Sequence, residues 1–140
     1  MSRPGLGFGM RHVALFVRDL AACEQFYVDL LGMEVEWRPD DHNVYLTSGG
    51  DNVALHQAEP GMQRDETTQR LDHIGFFLDS AEAVDHWFAW LHSQQVCIRS
   101  EPRDHRDGAR SFYCYDPDGT LVQMIHHPEV SQWEQLKGLN

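Results

Sequence analysis

The stretch His12-Val-Ala-Leu-Phe-Val17 decides the fold, because a related stretch, His73-Ile-Gly-Phe-Phe-Leu78, begins 61 residues later. Both stretches are short, apolar and rich in β-branched or aromatic residues, as is typical of buried β-strands. Each is followed by a segment with helical periodicity. Since an internal repeat fixes the architecture of a chain, we interpret the sequence as two copies of one module.

Each module is expected to contain one amphipathic helix. In the first, apolar residues recur at helical spacing from Cys23 to Leu31, behind Asp19 as the expected N-cap and before Gly32 as the expected end. In the second, the apolar stripe runs from Val84 to Leu91, and Asp79 with a glutamate three residues later is typical of a capping box. Both stripes predict helices that pack on a core.

Three further strand candidates follow each helix, with turn sequences between the last two of each set. The order βαβββ, twice, predicts an α+β fold of paired βαβββ modules whose sheets form a curved mixed-sheet trough. We place one domain at residues 10–128, with modules at about 10–58 and 71–128, a polar linker at 59–70 and a helical tail at 129–140. The strand candidates are residues 34–38, 44–48 and 52–58, and then 96–100, 111–115 and 121–126.

The charge balance excludes several classes of partner. Eleven Lys and Arg residues against 22 Asp and Glu residues give a net charge of −11. Neither nucleic acid nor an anionic membrane is expected as a partner, because both are bound through an excess of positive charge. No apolar run approaches the roughly 18 to 20 residues of a membrane-spanning helix. We expect a cytoplasmic protein whose three cysteines are reduced.

Histidines stand on strands that the repeat makes equivalent. His12 and His73 open the first strand of each module, and a second alignment, shifted by 67 residues, places His56 on Gln123 in the last strands. Imidazole nitrogens and a carboxamide oxygen suit a divalent transition metal such as Zn, Fe, Ni, Co or Mn. Another placement of the gap puts Leu55 opposite Gln123 and turns His56 away from the trough, so the fourth ligand stays open.

Two further positions are candidates for catalysis. The charged insertion at residues 101–108 is either a solvated loop or a lid whose Arg103, His105 or Arg106 contacts an anionic substrate. Tyr115, on the strand that follows, either packs or donates a proton to a substrate oxygen. We therefore take Tyr115 and His105 as the catalytic candidates.

Four motifs together resemble the vicinal oxygen chelate superfamily, which includes glyoxalase I, bleomycin-resistance proteins, fosfomycin-resistance thiol transferases and extradiol dioxygenases. The resemblance covers about residues 10 to 128. It implies that His12 and His73 are metal ligands, because metal-dependent members take a His or Gln ligand from the first strand of each module. The motifs are His12-Val-Ala-Leu-Phe-Val-Arg-Asp-Leu20, Phe26-Tyr-Val-Asp-Leu-Leu-Gly-Met33, Leu71-Asp-His-Ile-Gly-Phe76 and Phe112-Tyr-Cys-Tyr-Asp-Pro-Asp-Gly119.

Gln123 departs from the family pattern, which places a glutamate ligand four residues after the glycine of Asp116-Pro-Asp-Gly119. An amide oxygen ligates without charge, so this donor set leaves the charge of the ion uncompensated. Glyoxalase I also needs a carboxylate base, which neither last strand carries at this position. The departure therefore indicates a reaction other than that of glyoxalase I.

The leading hypothesis is a metal-dependent enzyme that chelates two adjacent oxygens of a small polar substrate. Dioxygenase-like or lyase-like chemistry is expected, and isomerase and thiol-transferase chemistries also fit. The alternative is a metal-free protein that sequesters a drug or metabolite, as bleomycin-resistance proteins do. The resemblance also implies a homodimer.

Overall fold

The computed structural model describes residues 1–4, 7–65, 67 and 71–130, and it divides the chain into two units, Met1–Gln63 and Arg64–Asn140. The division lies inside the segment 59–70 that the sequence indicated as a linker. Residues 131–140, which hold most of the expected C-terminal helix, lie outside the described part, so that helix stays a prediction. No helix in the described part is long and apolar enough to span a membrane.

The first unit is a four-stranded mixed sheet with one helical segment. Its strand order is β1-β4-β3-β2, in which β1 runs parallel to β4 and the other neighbours are antiparallel. The helix ends in a single π-helical turn at Phe26–Leu30. The elements are β1 (His12–Val17), α1 (Leu20–Gln25), β2 (Glu34–Asp40), β3 (Asn43–Thr47) and β4 (Asn52–Gln57).

The second unit repeats this topology. Its strand order is β5-β8-β7-β6, again with the first strand parallel to the last. The predicted α+β class and the twofold βαβββ order are therefore confirmed. The elements are β5 (Ile74–Phe77), α2 (Ala81–Ser93), β6 (Ile98–Asp104), β7 (Arg110–Tyr115) and β8 (Leu121–His126).

The helix caps match the sequence prediction in one module and not in the other. The side chain of Asp19 caps α1 as expected, by accepting a hydrogen bond from the backbone three residues on, and Gly32 follows with a φ of +88°. In α2 the N-cap is Ser80, whose Oγ accepts from the Ala83 N–H at 3.1 Å. The predicted capping box at Asp79 is wrong, because the helix begins one residue later and a serine hydroxyl fills the same role.

Strand β6 is longer than the sequence indicated. It runs to Asp104, so the first half of the charged segment 101–108 is an edge strand paired with β7 rather than a loop. The guanidinium of Arg110 donates to Asp104 and to Asp85 of α2, and both carboxylates raise the pKa of Arg110. Backbone pairing and the ion pair between Arg110 and Asp104 hold these polar residues in a strand, although their composition alone disfavours one.

The core of each unit lies between the sheet and its helix. In the second unit, the ring of Phe112 on β7 meets Phe88 of α2 edge-on at 5.5 Å. Cys114 and Val122 are fully buried beside it. The same strands thus present a second set of side chains on the face directed away from the helix, which we call the distal face.

The corrected cap of α2 makes a prediction about stability. Ser80→Ala should lower the free energy of unfolding by about 1 kcal/mol, because a backbone donor in the first turn loses its acceptor. Ser80→Asp should cost much less, since aspartate caps helices equally well. Urea unfolding followed by circular dichroism measures both changes, and equal losses in the two variants would contradict the assigned cap.

The cysteines make a second prediction. Cys23 and Cys114 are buried, Cys97 is exposed, and no disulfide joins these three described residues. Burial raises the pKa of the Cys114 thiol to about 12, so it carries no thiolate near neutral pH. Iodoacetamide at pH 8 should therefore modify the folded protein once, at Cys97, as read by mass spectrometry. Cys97→Ser should abolish this reaction, and comparable labelling at Cys114 would refute the buried assignment.

Candidate metal site

The distal face of the second unit carries most of the candidate site. Phe112 and Cys114 point toward α2, so the alternate residues of β7 point away from it. Gln123 is the pairing partner of Gly75 on one side and of Tyr113 on the other. The residues of this face are His73, Gly75, Phe77, Ser111, Tyr113, Tyr115, Leu121, Gln123 and Ile125.

His73 precedes β5 and is oriented by its neighbour in the chain. Its Nδ1–H donates to Oδ2 of Asp72 at 2.6 Å, which leaves the Nε2 lone pair available as a metal donor. The imidazole also meets the ring of Tyr113 edge-on at 5.4 Å. Because β8 separates β5 from β7, a ring that reaches Tyr113 lies over β8, the strand of Gln123.

Gln123 is buried, and its amide is held in one orientation. Its Nε2 donates to Oγ of Ser111 on β7 at 3.1 Å. Its Oε1 lies on the β5 side of the strand, where a Cβ added to Gly75 would stand 3.7 Å from it. The amide oxygen thus faces the strand that His73 leads.

The two catalytic candidates lie on opposite sides of Gln123. His105, at the end of β6, has its Nε2 2.7 Å from Oγ of Ser111, and it lines an open depression of about 670 Å³ with Tyr113 and Gln123. The Oη of Tyr115 accepts from Nη1 of Arg99 at 2.7 Å, and this bond raises the pKa of Arg99.

A second cavity, of about 540 Å³, lies on the Tyr115 side of the distal face. It is lined by Tyr115 together with Arg64, Arg99 and Asp72, which hydrogen-bonds His73. Arg64 also donates to the Asp118 carbonyl and to the hydroxyl of Thr120 within the same unit. Two guanidinium groups beside a phenol provide donors for an anionic, oxygen-rich ligand.

In the first unit, His12 is oriented in the same way as His73. Its Nδ1–H donates to Oδ1 of Asn52 at 2.7 Å, and Nδ2 of Asn52 donates to Oε2 of Glu36 at 3.2 Å. The imidazole stacks on Tyr45 of β3 with the ring centroids 6.5 Å apart. His12 therefore also keeps Nε2 as its available donor, backed by a carboxylate through one amide.

The structure corrects the alignment that placed His56 on Gln123. His56 pairs with Phe16 and shares the face of His12, while Leu55 is fully buried on the other face. However, Ala14 and Gly75 are equivalent, since each lies two residues after the first histidine of its module. Ala14 pairs with Ala54, and Gly75 pairs with Gln123. The counterpart of Gln123 is therefore Ala54. His56 lies two residues further along the strand, with its Nδ1 2.5 Å from Oδ1 of Asn43.

Several residues of the site were not identified as functional from the sequence. Asp72, Asn52 and Ser111 each hydrogen-bond a predicted ligand, and Arg99 hydrogen-bonds Tyr115. A signal existed only for Asp72, which directly precedes His73. Within the described residues, no three His, Cys, Asp or Glu side chains are gathered as a metal site on their own.

Three kinds of similarity place the chain among known proteins. Residues 9–124 match the family model described as the glyoxalase/bleomycin resistance protein/dioxygenase superfamily. A protein named metallothiol transferase FosB from Staphylococcus epidermidis is 36% identical over 118 residues, which cover 82% of this chain and 79% of the relative.

Solved structures give the same fold. A glyoxalase/dioxygenase from Nostoc punctiforme superposes with a TM-score of 0.75 at 23% identity, covering 91% of this chain and 97% of the other. The fosfomycin resistance protein FosX from Listeria monocytogenes superposes with a TM-score of 0.69 at 21% identity, covering 89% and 97%. The repeated βαβββ topology, its histidine-led first strands and these matches lead to one conclusion: the chain belongs to the glyoxalase/bleomycin resistance protein/dioxygenase superfamily.

Proposed function

We propose that this protein is a metal-dependent enzyme that transfers a thiol to a small anionic substrate, with His12, His73 and Gln123 as the metal ligands. The observation that carries the proposal is the orientation of His73 and Gln123 on one face, with Nε2 and Oε1 left available by the bonds to Asp72 and Ser111. The similarity to FosB favours thiol transfer over the dioxygenase and lyase chemistries that the sequence also allowed.

The donor set fits a divalent transition metal. Imidazole nitrogens and an amide oxygen suit Zn, Fe, Ni, Co or Mn, and the choice among these metals stays open. When bound, the ion supplies a Lewis acid that stabilises negative charge on a substrate oxygen. We leave His56 out of the set, because its strand position is two residues from the counterpart of Gln123.

The cavity beside Tyr115 suits the substrate. Arg64 and Arg99 line it and would hold an anionic group such as a phosphonate. Because Oη of Tyr115 accepts from Arg99, the phenol hydrogen is directed elsewhere and can be donated to a substrate oxygen. These residues bind the substrate and deliver a proton.

Thiol transfer to an epoxide balances with these groups. The thiol sulfur forms a bond to one epoxide carbon as the bond from that carbon to oxygen breaks. The released oxygen takes the proton of Tyr115 Oη, and the proton of the thiol restores the phenol. Fosfomycin, a small epoxide phosphonate, is the substrate to test first, since the FosX structure is that of a fosfomycin resistance protein.

Metal binding tests the first half of the proposal. The protein, loaded with Zn²⁺ or Mn²⁺ and freed of excess, should retain near one ion per chain by elemental analysis. His12→Ala/His73→Ala should lose it, because both imidazole donors are removed. His42→Ala, at an exposed histidine outside the site, is the matched control. A protein that holds no ion at saturating metal would instead be a metal-free sequestering protein.

Thiol transfer tests the second half. Incubation of the metal-loaded protein with fosfomycin and a small thiol such as cysteine or glutathione should give the thioether adduct in mass spectra. Tyr115→Phe should lower kcat by about 100-fold, because general acid catalysis by the phenol is lost, while the metal content stays unchanged. Full activity of Tyr115→Phe would remove the phenol from the mechanism.

A further inference from the structure

A carboxamide ligand poses a problem of orientation that a carboxylate ligand does not have. The amide of Gln123 has one oxygen that can bind a metal and one NH₂ group that cannot. Rotation by half a turn about the last side-chain bond exchanges the two. A protein that uses glutamine as a ligand therefore needs a group that fixes which end faces the ion.

Ser111 is placed to be that group. It is 1% exposed, and its Oγ accepts from Nε2 of Gln123 at 3.1 Å. This bond holds the NH₂ end over β7 and so directs Oε1 over Gly75. With the NH₂ group in this buried position, loss of the serine oxygen leaves a buried donor without its acceptor.

His105 completes the arrangement. Ser111 has a single hydroxyl hydrogen, and its oxygen already accepts from Gln123, so the hydrogen is available for Nε2 of His105 at 2.7 Å. Two backbone hydrogen bonds of the turn at residues 105–109 hold His105 in place. The N–H of His105 donates to the Ala109 carbonyl, and the carbonyl of His105 accepts from the Gly108 N–H. The donors thus run in one direction, from the amide of Gln123 to Ser111 and on to His105.

We propose that Ser111, supported by His105, is a positioning residue that selects the metal-binding orientation of the Gln123 amide. This inference rests on the proposed metal site. It assigns to His105 a role through Ser111 rather than a direct contact with the substrate. It also explains how a chain that lacks the family's glutamate can keep a defined oxygen donor at that position.

The test is a double-mutant cycle with Gln123→Glu, measured as the affinity of the metal-free protein for Zn²⁺ in competition with a chromophoric chelator. Ser111→Ala should weaken binding by about 10-fold to 100-fold in the native background. In the Gln123→Glu background it should change binding by less than about 3-fold, because both carboxylate oxygens can ligate and no orientation has to be selected. Ser93→Ala, at an exposed serine of α2, is the matched control and should change neither.

A second readout follows the hydrogen-bond direction itself. Ring ¹⁵N shifts should show Nε2 of His105 unprotonated in the native protein, where it accepts from Ser111. In Gln123→Glu the carboxylate takes the serine hydrogen, so Nε2 of His105 should carry a proton and donate to Ser111. An unchanged histidine signal between the two proteins would contradict this direction of donation.

The outcomes separate this inference from the proposed function. Equal losses of Zn²⁺ affinity for Ser111→Ala in both backgrounds, or no loss in either, would overturn the positioning role while His73→Ala still abolished binding. If the native protein bound no Zn²⁺, both the metal site and the positioning role would fall together. Loss in the glutamine background alone, with the change at His105, is the expected result.

Discussion

The parallel pairing of the first strand of each unit with its last strand is the constraint on which the site depends. Residues far apart in sequence, such as Gly75 and Gln123, become direct neighbours through this pairing. The tight hairpins that join β3 to β4 and β7 to β8 then bring a third strand alongside. As a result, a candidate ligand at the start of one strand and a candidate ligand in the middle of another share one face. The helix on the opposite face supplies the burial that holds both strands in register.

The orientation of each candidate ligand comes from its hydrogen-bond partner. His12 donates Nδ1–H to the amide oxygen of Asn52, and His73 donates Nδ1–H to the carboxylate of Asp72. The amide nitrogen of Gln123 donates to the hydroxyl of Ser111. These partners differ in chemistry, yet each leaves the donor atom that a metal needs. Asp72 hydrogen-bonds His73 directly, and Glu36 is linked to His12 through Asn52. These two carboxylates supply negative charge that the uncharged glutamine does not.

The sequence predicted the architecture well. Apolar periodicity within each strand and helix, and the repeat of His12 at His73, are visible in short stretches of sequence and follow directly from which residues are buried. It placed β1 and β8 at their observed bounds and the cap of α1 at Asp19. It misplaced the cap of α2 by one residue. It also misaligned His56 with Gln123, because the register between distant strands depends on turns and bulges that a single sequence does not reveal. Partners such as Ser111 were beyond reach for the same reason, since their role exists only after the strands pair.

The edge strands β2 and β6 share a feature with a consequence for handling the protein. Each carries a proline, Pro39 or Pro102, amid acidic and basic side chains, and every residue of β2 is exposed. Proline withholds a backbone donor, and charges of both signs resist desolvation, so another strand cannot extend these edges easily. Edge-to-edge aggregation through β2 and β6 is thereby disfavoured. We expect the same residues to keep the protein from forming fibrils in concentrated solution.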